Sequence, residues 1–262
     1  MDDSLHSTSR RMTLTALAGV PLVKPGDDLV HLIRSALAAS NETLRPGDVL
    51  VLAQKIVSKA QNRYVRLRDV TPSERALELA TQTSKDPRLV ELVLRESNRV
   101  LRYARDVLIV EHRLGFVMAN AGIDMSNVEQ HDGCETALLL PESPDESSQT
   151  LWRALSPDAR GMLGIIINDS HGRAWRNGTV GVSIGSAGLS ALQDRRGDPD
   201  LFGRALLVTE VAAADEIAAA ASLLMGQADE GSPLVLVRGL AHLGSPGKAA
   251  DLIRPSTKDL FR

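Results

Sequence analysis

The order of apolar and polar residues along the chain predicts short buried strands that alternate with helices. Strands are indicated where apolar residues run together or alternate with polar ones. These segments are MTLTALAG (residues 12–19), Val49–Ala53, Leu163–Ile167, a stretch beginning at Val180, part of residues 200–211 and Leu234–Arg238. The segment DVLIVEHRLGFVMA, residues 106–119, predicts a strand, a turn and a second strand.

Apolar positions three and four residues apart predict helices between these strands. The predicted helices begin after Asp27–Asp28, at Thr71 as N-cap with Pro72 in the first turn, after Asp86–Pro87, at Ser147 or Ser148, and after residue 211. The helix after Asp86–Pro87 is expected to carry Val100 and Leu101 on its apolar face, and Gly226 is expected to end the last helix. Because strands and helices alternate, the fold class is predicted to be mixed α/β, either α/β or α+β.

Composition and charge exclude several classes of function. The chain has 262 residues, of which 43% are hydrophobic and 24% charged, as in an ordinary globular protein of one large or two small domains. A net charge of -3 and 3% aromatic residues argue against a nucleic-acid-binding surface. No apolar run approaches the roughly 18 residues of a membrane span, so no membrane association is expected.

The termini and the cysteine content indicate the compartment. A single cysteine, Cys134, excludes an intramolecular disulfide and fits a cytoplasmic protein. Residues 1–12 lack the apolar core of a signal peptide and are expected to be a flexible tail. The folded domain is then expected to span residues 13–262.

Two clusters of oxygen-bearing side chains follow predicted strands. Residues 120–127 read NAGIDMSN, and Asn168, Asp169 and Ser170 follow Leu163–Ile167. Carboxylates beside neutral oxygens are the ligands that Mg²⁺ and Mn²⁺ prefer. The alternative is that these residues only form turns, as Asp and Asn often do.

Charged and polar residues elsewhere leave similar alternatives open. Arg173 and Arg176 would either bind an anion or border a hairpin. Lys55 and Lys59 would either contact phosphate or form a solvated face. The lysines do not belong to a P-loop, because no GxxxxGK[ST] motif is present. Gln227 would bind a metal ion or stabilise its turn. The histidines lack zinc spacing, Cys134 has no evident base, and no G-x-S-x-G occurs. The residues alone therefore favour a metal-and-phosphate site.

Five segments in a fixed order change this interpretation. They are GVPLVKPGDDLVHLI, GDVLVLAQKIVSKAQ, ANAGIDMSNV, INDSHGRAWRNGTVGVSIGSAG and VTEVAAADEIAAAASLLMGQADEGSPLVLVRGL. With them the chain resembles the coenzyme F420-0:L-glutamate ligase (coenzyme F420:γ-glutamyl ligase) family, from about Leu17 to the terminal DLIRPSTKDLFR. The resemblance covers the ligase part only, so the flavin-dependent reductase activity of a further C-terminal domain in some members is not expected.

This resemblance implies a fold, an activity and an assembly. The implied fold is a two-lobed mixed α/β arrangement in an intertwined homodimer, with the active site near the subunit interface. The implied substrates are F420-0, L-glutamate and GTP, with two Mg²⁺ or Mn²⁺ ions and potassium as a further candidate ion. The implied reaction joins glutamate to F420-0 through an acyl phosphate, releases GDP and phosphate, and then adds a second, γ-linked glutamate.

The resemblance also assigns residues. It implies Asp124 and Asp169 as ligands of one metal ion, Ser170 and Gln227 as ligands of a second, and Asp124, Asp169, Arg173 and Arg176 as the catalytic set. The nucleotide-binding positions implied are Val20, Pro21, Leu22, Val23, Gln54, Lys55, Lys59, Asn127, Leu224, Met225, Gly226, Gln227, Ala228, Asp229, Glu230 and Gly231. Three positions depart from the usual pattern: Ser170 replaces threonine, His171 replaces phenylalanine, and Gln54 replaces a small hydroxyl residue.

Two other functions remain open from the sequence. The first is a GTP-binding regulatory protein of the same fold without ligase activity, although binding alone would not require both Asp124 and Asp169. The second is a related amide ligase that acts on another carboxylic acid, because the deazaflavin pocket has no recognisable motif.

Overall fold

The computed structural model describes residues 9–128, 135–240 and 242–260. Residues 1–8 of the predicted tail, together with His131 and Cys134, lie outside the described residues. The fold is mixed α/β, as predicted. Its helices are α1 (Leu29–Ala39), α2 (Gln54–Ala60), α3 (Glu74–Thr83), α4 (Pro87–Arg95), α5 (Pro144–Leu155) and α6 (Ala213–Met225).

A five-stranded sheet forms the centre of the fold. In spatial order its strands are β1 (Thr13–Ala16), β12 (Leu234–Arg238), β2 (Asp48–Ala53), β8 (Leu163–Arg173) and β9 (Arg176–Ala187). Only β2 and β8 are parallel, and the other pairs are antiparallel. Helices α1, α2 and α5 contribute to the core on one face, and α6 contributes to the core on the other.

Smaller sheets complete the architecture. Strands β4 (Ser97–Ala104), β5 (Val107–His112) and β6 (Val117–Ala119) form an antiparallel sheet that shares a separate core with α3 and α4. Two-stranded sheets pair β3 (Tyr64–Arg66) with β7 (Thr136–Leu138) and β10 (Gln193–Asp194) with β11 (Glu210–Val211). In the part of the chain that the structure describes, no helix has both the length and the apolar character needed to cross a membrane.

Several predicted helix ends are confirmed. Asp28 caps α1, where its Oδ1 accepts hydrogen bonds from the backbone amides of Val30 at 2.9 Å and His31 at 3.2 Å. Asp86 caps α4, whose first residue is Pro87. Gly226 ends α6 with a φ of 70°, a backbone conformation that glycine adopts without strain.

Other helix boundaries were predicted wrongly. The first turn of α3 is capped by Ser73, not Thr71, because the Ser73 hydroxyl accepts a hydrogen bond from the Ala76 amide at 3.3 Å. Helix α5 begins at Pro144 after Ser143, so Ser147 and Ser148 lie inside it. Val100 and Leu101 belong to β4 and not to α4, since α4 ends at Arg95 and the chain then pairs with β5.

Two strand predictions also need correction. Leu163–Ile167 is only the first half of β8, which continues through Asn168, Asp169 and Ser170 because each of them pairs with β9. The predicted strand in residues 200–211 is reduced to Glu210–Val211. The polar triplet therefore lies on a paired strand and not on a loop.

Candidate active site

Pairing of β8 on both sides fixes the polar triplet. Asn168 pairs with Ala53 of β2 on one side and with Ser183 of β9 on the other. Because β2 and β8 are parallel, their carboxyl ends meet at one edge of the sheet, where β2 leads directly into α2. Gln54 and Lys55, the first residues of α2, are thereby brought beside Asp169.

A tight turn after β6 places Asp124 at the same edge. Asn120, Ala121 and Gly122 all have positive φ, at 52°, 53° and 64°. After this turn, Asp124 and Leu138 form an antiparallel β-bridge. The backbone amide of each residue donates to the carbonyl of the other at 2.9 Å. The backbone of Asp124 is therefore held by β7 although no long strand contains it.

Both oxygens of the Asp124 carboxylate have donors from α2. Gln54 Nε2 donates to Asp124 Oδ2 at 2.8 Å, and Lys55 Nζ lies 3.3 Å from Asp124 Oδ1. Gln54 is in turn fixed by Ser58, whose hydroxyl donates to Gln54 Oε1 at 2.9 Å. Gln54, which is predicted to contact nucleotide, thus also orients Asp124 through its side-chain amide.

The two acids lie in a partly desolvated environment. Burial and, to a smaller extent, the negative charge of Asp124 raise the pKa of Asp169 to about 7, while the Ser170 backbone amide and the charge of Lys55 oppose the shift. Burial also raises the pKa of Asp124, against the opposing charge of Lys55. When two buried carboxyl groups lie close together, ionising both is unfavourable unless a cation offsets their charge, so this arrangement favours a bound cation.

His171 lies next to Asp169 on the same face of β8. Its Nε2 atom is 3.7 Å from Asp169 Oδ2, and only 13% of its side chain is exposed. Burial and, to a smaller extent, the nearby His112 lower the pKa of His171 to about 4. The ring packs against Phe116, with 6.1 Å between centroids.

Near His171, a charged cluster surrounds Glu96, the residue that follows α4. Glu96 accepts hydrogen bonds from Arg63 at 2.9 Å and from Arg113 at 3.1 Å, and its Oε2 lies 3.6 Å from His112 Nε2. Although burial raises the pKa of Glu96, contacts with His112, Arg113 and Arg63 lower it to about 2. This cluster is a structural support and was not predicted, because its members are far apart in the sequence.

The loop after α6 contacts the site through Gln227. The Ser170 hydroxyl donates to Gln227 Oε1 at 2.8 Å, so the two residues predicted as ligands of one ion are in contact. Asn127 Nδ2 donates to the carbonyl of Ala228 at 2.9 Å. Glu230 accepts a hydrogen bond from the Ala228 amide at 2.8 Å and thereby shapes the loop.

The two lysines of α2 reach the loop that carries Asp124. Lys55 Nζ contacts the Ser126 hydroxyl at 3.3 Å, and Lys59 Nζ donates to the Asn127 carbonyl at 2.8 Å. The lysines thus lie at the site and are not a remote solvated face. Ser126, which the sequence prediction missed, was signalled only by its place in AGIDMSN.

Some predicted residues are not brought into this cluster. Arg173 and Arg176 border the tip of the β8–β9 hairpin, where both are exposed and Arg173 Nη1 donates to the Gly178 carbonyl at 3.3 Å. Val20 and Val23 pack in the core with residues of α2, while Pro21 and Leu22 are exposed. Of the predicted loop residues, Leu224 and Asp229 are exposed, and Met225 is buried against Asn168.

Comparison with known proteins identifies the family. The F420-0:gamma-glutamyl ligase family matches residues 19–239 of this chain. The chain belongs to this family. It is 49% identical over 253 residues to the coenzyme F420:L-glutamate ligase of Methanothermobacter thermautotrophicus, covering 96% of this chain and 99% of that protein.

Similar ligases occur in other archaea. The coenzyme F420:L-glutamate ligase of Methanopyrus kandleri is 46% identical over 93% of this chain and 96% of its own length. The protein of the same description from Archaeoglobus fulgidus is 42% identical over 96% of this chain and 97% of its own length. The resemblance inferred from the five sequence segments is thus confirmed at the level of the family.

The acids of this family member fit a divalent ion. Among the described residues, no three His, Cys, Asp or Glu side chains form a group that could hold a metal ion. Two carboxylates with neutral oxygens are nevertheless sufficient for Mg²⁺ or Mn²⁺, which keep several waters and take further ligands from phosphate groups. The mutual repulsion of Asp124 and Asp169, and the contact between the Ser170 and Gln227 oxygens, match such ions.

Proposed function

We propose that this protein ligates L-glutamate to F420-0 at the expense of GTP, in coenzyme F420 biosynthesis. The observation that carries the proposal is the convergence of Asp124 and Asp169 with Lys55 at the edge where β2 and β8 end. Burial raises the pKa of both carboxyl groups, and the charge of Asp124 adds to the shift of Asp169, which favours a bound cation. The related ligases, which are coenzyme F420:L-glutamate ligases, indicate the acceptor and the amino acid.

GTP is proposed to lie between α2 and the loop after α6. Lys55 and Lys59 supply two positive charges for its phosphates, and a charge-assisted contact of this kind is stronger than a neutral one. Asn127 links α2 to this loop, because its carbonyl accepts a hydrogen bond from Lys59 and its side chain donates one to Ala228. Backbone groups of Val20–Val23 and of Leu224–Gly231 are the proposed remaining contacts.

Four side chains are the proposed metal ligands. Asp124 and Asp169 would hold one Mg²⁺ or Mn²⁺ ion, and Ser170 and Gln227 would hold a second, with potassium as a further candidate. Bound divalent ions of this kind withdraw charge from phosphate oxygens during phosphoryl transfer. Lys55 would exchange its contact with Asp124 for one with phosphate, which frees a carboxylate oxygen.

The proposed reaction activates a carboxylate, because a carboxylate is a poor acyl donor to an amine in water. A lactyl carboxylate oxygen of F420-0 attacks the γ-phosphorus of GTP, the bond from phosphorus to the β–γ bridging oxygen breaks, and GDP leaves. The glutamate amine, having lost a proton, then attacks the acyl carbon, and phosphate departs as the amide forms. In a second cycle the γ-carboxyl group of the added glutamate is activated in the same way.

The arginines at the tip of the β8–β9 hairpin are proposed to bind substrate, although they lie outside the cluster of proposed metal ligands. Arg173 and Arg176 flank the tip, and their guanidinium groups suit a carboxylate or phosphate. In the proposed intertwined homodimer, with its active site near the subunit interface, such an exposed tip would meet substrate at the interface.

GDP release distinguishes ligation from regulation. We expect the purified protein with GTP and Mn²⁺ to release GDP only when both F420-0 and L-glutamate are present. A regulatory GTP-binding protein would bind GTP without this dual requirement. An amide ligase for another acid would release no GDP with F420-0 but would do so with its own substrate.

A further inference from the structure

Strand β8 carries a buried imidazole immediately beyond the proposed metal ligands. The Nε2 atom of His171 is buried and has no hydrogen-bond partner among the described residues. It lies 3.7 Å from Asp169 Oδ2, which is too long for a hydrogen bond. A buried polar atom without a partner costs free energy, so this nitrogen and this oxygen together are suited to a bound ligand.

The ring is held rigidly. Side chains two positions apart on a strand point to the same face, so His171 and Asp169 face one space. The ring of Phe116 packs against the imidazole at an interplanar angle of 45°. Because the imidazole is buried beside an apolar ring, its neutral form is favoured, and the neutral form is the one that ligates metal ions.

We propose that His171 Nε2 becomes an additional ligand of the divalent ion assigned to Asp169, which makes this a mixed nitrogen and oxygen site. Because no three such side chains of the described residues form a metal-holding group as they stand, the ion would have to draw His171, Asp169 and Asp124 together. The inference rests on the metal ion of the proposed function and extends it to the choice of ion. Two ligands that are each ~2.1 Å from one ion lie roughly 3 to 3.6 Å apart, so the two atoms, now 3.7 Å apart, need to close by about 0.1 to 0.7 Å.

An imidazole ligand changes which ion the site prefers. Mg²⁺ favours oxygen ligands, whereas imidazole nitrogen suits first-row transition ions. The site should therefore bind Mn²⁺ in preference to Mg²⁺, and this preference should depend on His171. Replacement by phenylalanine keeps a ring beside Phe116 but removes the nitrogen. His171→Phe therefore tests the loss of the nitrogen ligand without the loss of ring packing.

Pulsed electron paramagnetic resonance of bound Mn²⁺ tests the proposal directly. The full-length protein is loaded with Mn²⁺ in the absence of substrates, once unlabelled and once with ¹⁵N-histidine. We expect a nitrogen coupling that changes with the histidine label in the parent and is lost in His171→Phe. The Mn²⁺ affinity of His171→Phe should fall about tenfold or more, because even replacing residues that only support metal ligands lowers metal affinity by that factor. The Mg²⁺ affinity should change little.

A neighbouring variant controls for packing. Phe116→Leu disturbs the same wall but keeps the imidazole, so its nitrogen coupling should remain. Bound Mn²⁺ without a histidine coupling in the parent, or an unchanged ratio of Mn²⁺ to Mg²⁺ affinity in His171→Phe, overturns the proposal. Failure of Mn²⁺ to bind overturns it together with the proposed metal site. A histidine coupling in a protein that adds no glutamate to F420-0 would instead contradict only the proposed function.

Discussion

Asp169 has the most unusual environment of the acids at the site. Its carboxyl group is mostly buried and next to Asp124, and its pKa is raised to about 7 from an ordinary value of 3.8. In the unfolded chain it ionises at lower pH than in the folded protein. The folded state without metal therefore loses stability as the pH rises from about 4 to about 7.

Replacement of Asp169 by Asn should separate catalysis from stability. We expect Asp169→Asn to abolish ligation, because a neutral amide cannot replace a liganding charge. In metal-free buffer at pH 8 its free energy of unfolding should exceed that of the parent, by at most about 4 kcal/mol, and the difference should shrink toward pH 4. Urea unfolding at several pH values measures this.

An exposed acid provides the control for this prediction. Asp106 has a 74% exposed side chain, and Asp106→Asn should change neither ligation nor the pH dependence of unfolding. Full ligase activity of Asp169→Asn would contradict the metal assignment. A pH-independent difference between Asp169→Asn and the parent would contradict the account of burial and repulsion.

At the scale of single elements, apolar patterns predicted the buried part of the fold well. Val49–Ala53, Leu163–Ile167 and Leu234–Arg238 all lie in the central sheet, because an uninterrupted apolar run has no stable place except between two covered faces. The same pattern could not show that β8 continues through Asn168–Ser170. These polar residues remain in the strand because β9 supplies their backbone partners, and that pairing is a tertiary contact.

The site was predictable only in part for a similar reason. The resemblance gave Asp124, Asp169, Ser170 and Gln227, and the structure brings these residues together in two neighbouring pairs. The contacts of Gln54 with Asp124 and of His171 with Asp169 join elements distant in the chain or depend on side-chain packing. No local spacing indicates the contact of Gln54 with Asp124, and the spacing of Asp169 and His171 places them on one face only once β8 is known to continue through both residues.

Packing of β9 against α6 should depend on one glycine. A β-carbon on Gly181 would lie 2.1 Å from Ser222 Oγ and 2.5 Å from the Ala218 carbonyl oxygen. Gly181→Ala should therefore lower the free energy of unfolding by about 1–3 kcal/mol, as overpacking does. In Gly172→Ala, on the partner strand, the new methyl group meets nothing within 4 Å, and stability should change little. Equal unfolding midpoints for the two variants would contradict this packing.

The lysines of α2 should determine GTP affinity. If Lys55 or Lys59 pairs with phosphate, its replacement by alanine removes a charge-assisted contact of about 1.5–3 kcal/mol, which corresponds to roughly tenfold or more in affinity. Lys258→Ala makes the same charge change at an exposed position and should bind GTP as the parent does. Calorimetric titration of GTP that finds all three variants equal to the parent would place the nucleotide elsewhere.

At the scale of the whole molecule, exposed apolar side chains support the proposed homodimer. Leu201, Phe202, Leu207 and Val208, between β10 and β11, are each more than 80% exposed. Covering them with a second subunit would stabilise the assembly, because contiguous apolar surface commonly marks an interface. Sedimentation should give about twice the 28.1 kDa chain mass for the parent and the monomer mass for Phe202→Asp. A monomeric parent at micromolar concentration would refute the homodimer.

Mass spectrometry of the products tests the central claim most directly. The protein is incubated with F420-0, L-glutamate, GTP and Mn²⁺, and the deazaflavin products are analysed. The account predicts addition of one and then two glutamate residues, with GDP formed in equal amount to the amide bonds, and no addition when GTP is omitted. Unchanged F420-0 in the complete mixture, or glutamate addition without GTP, would contradict it.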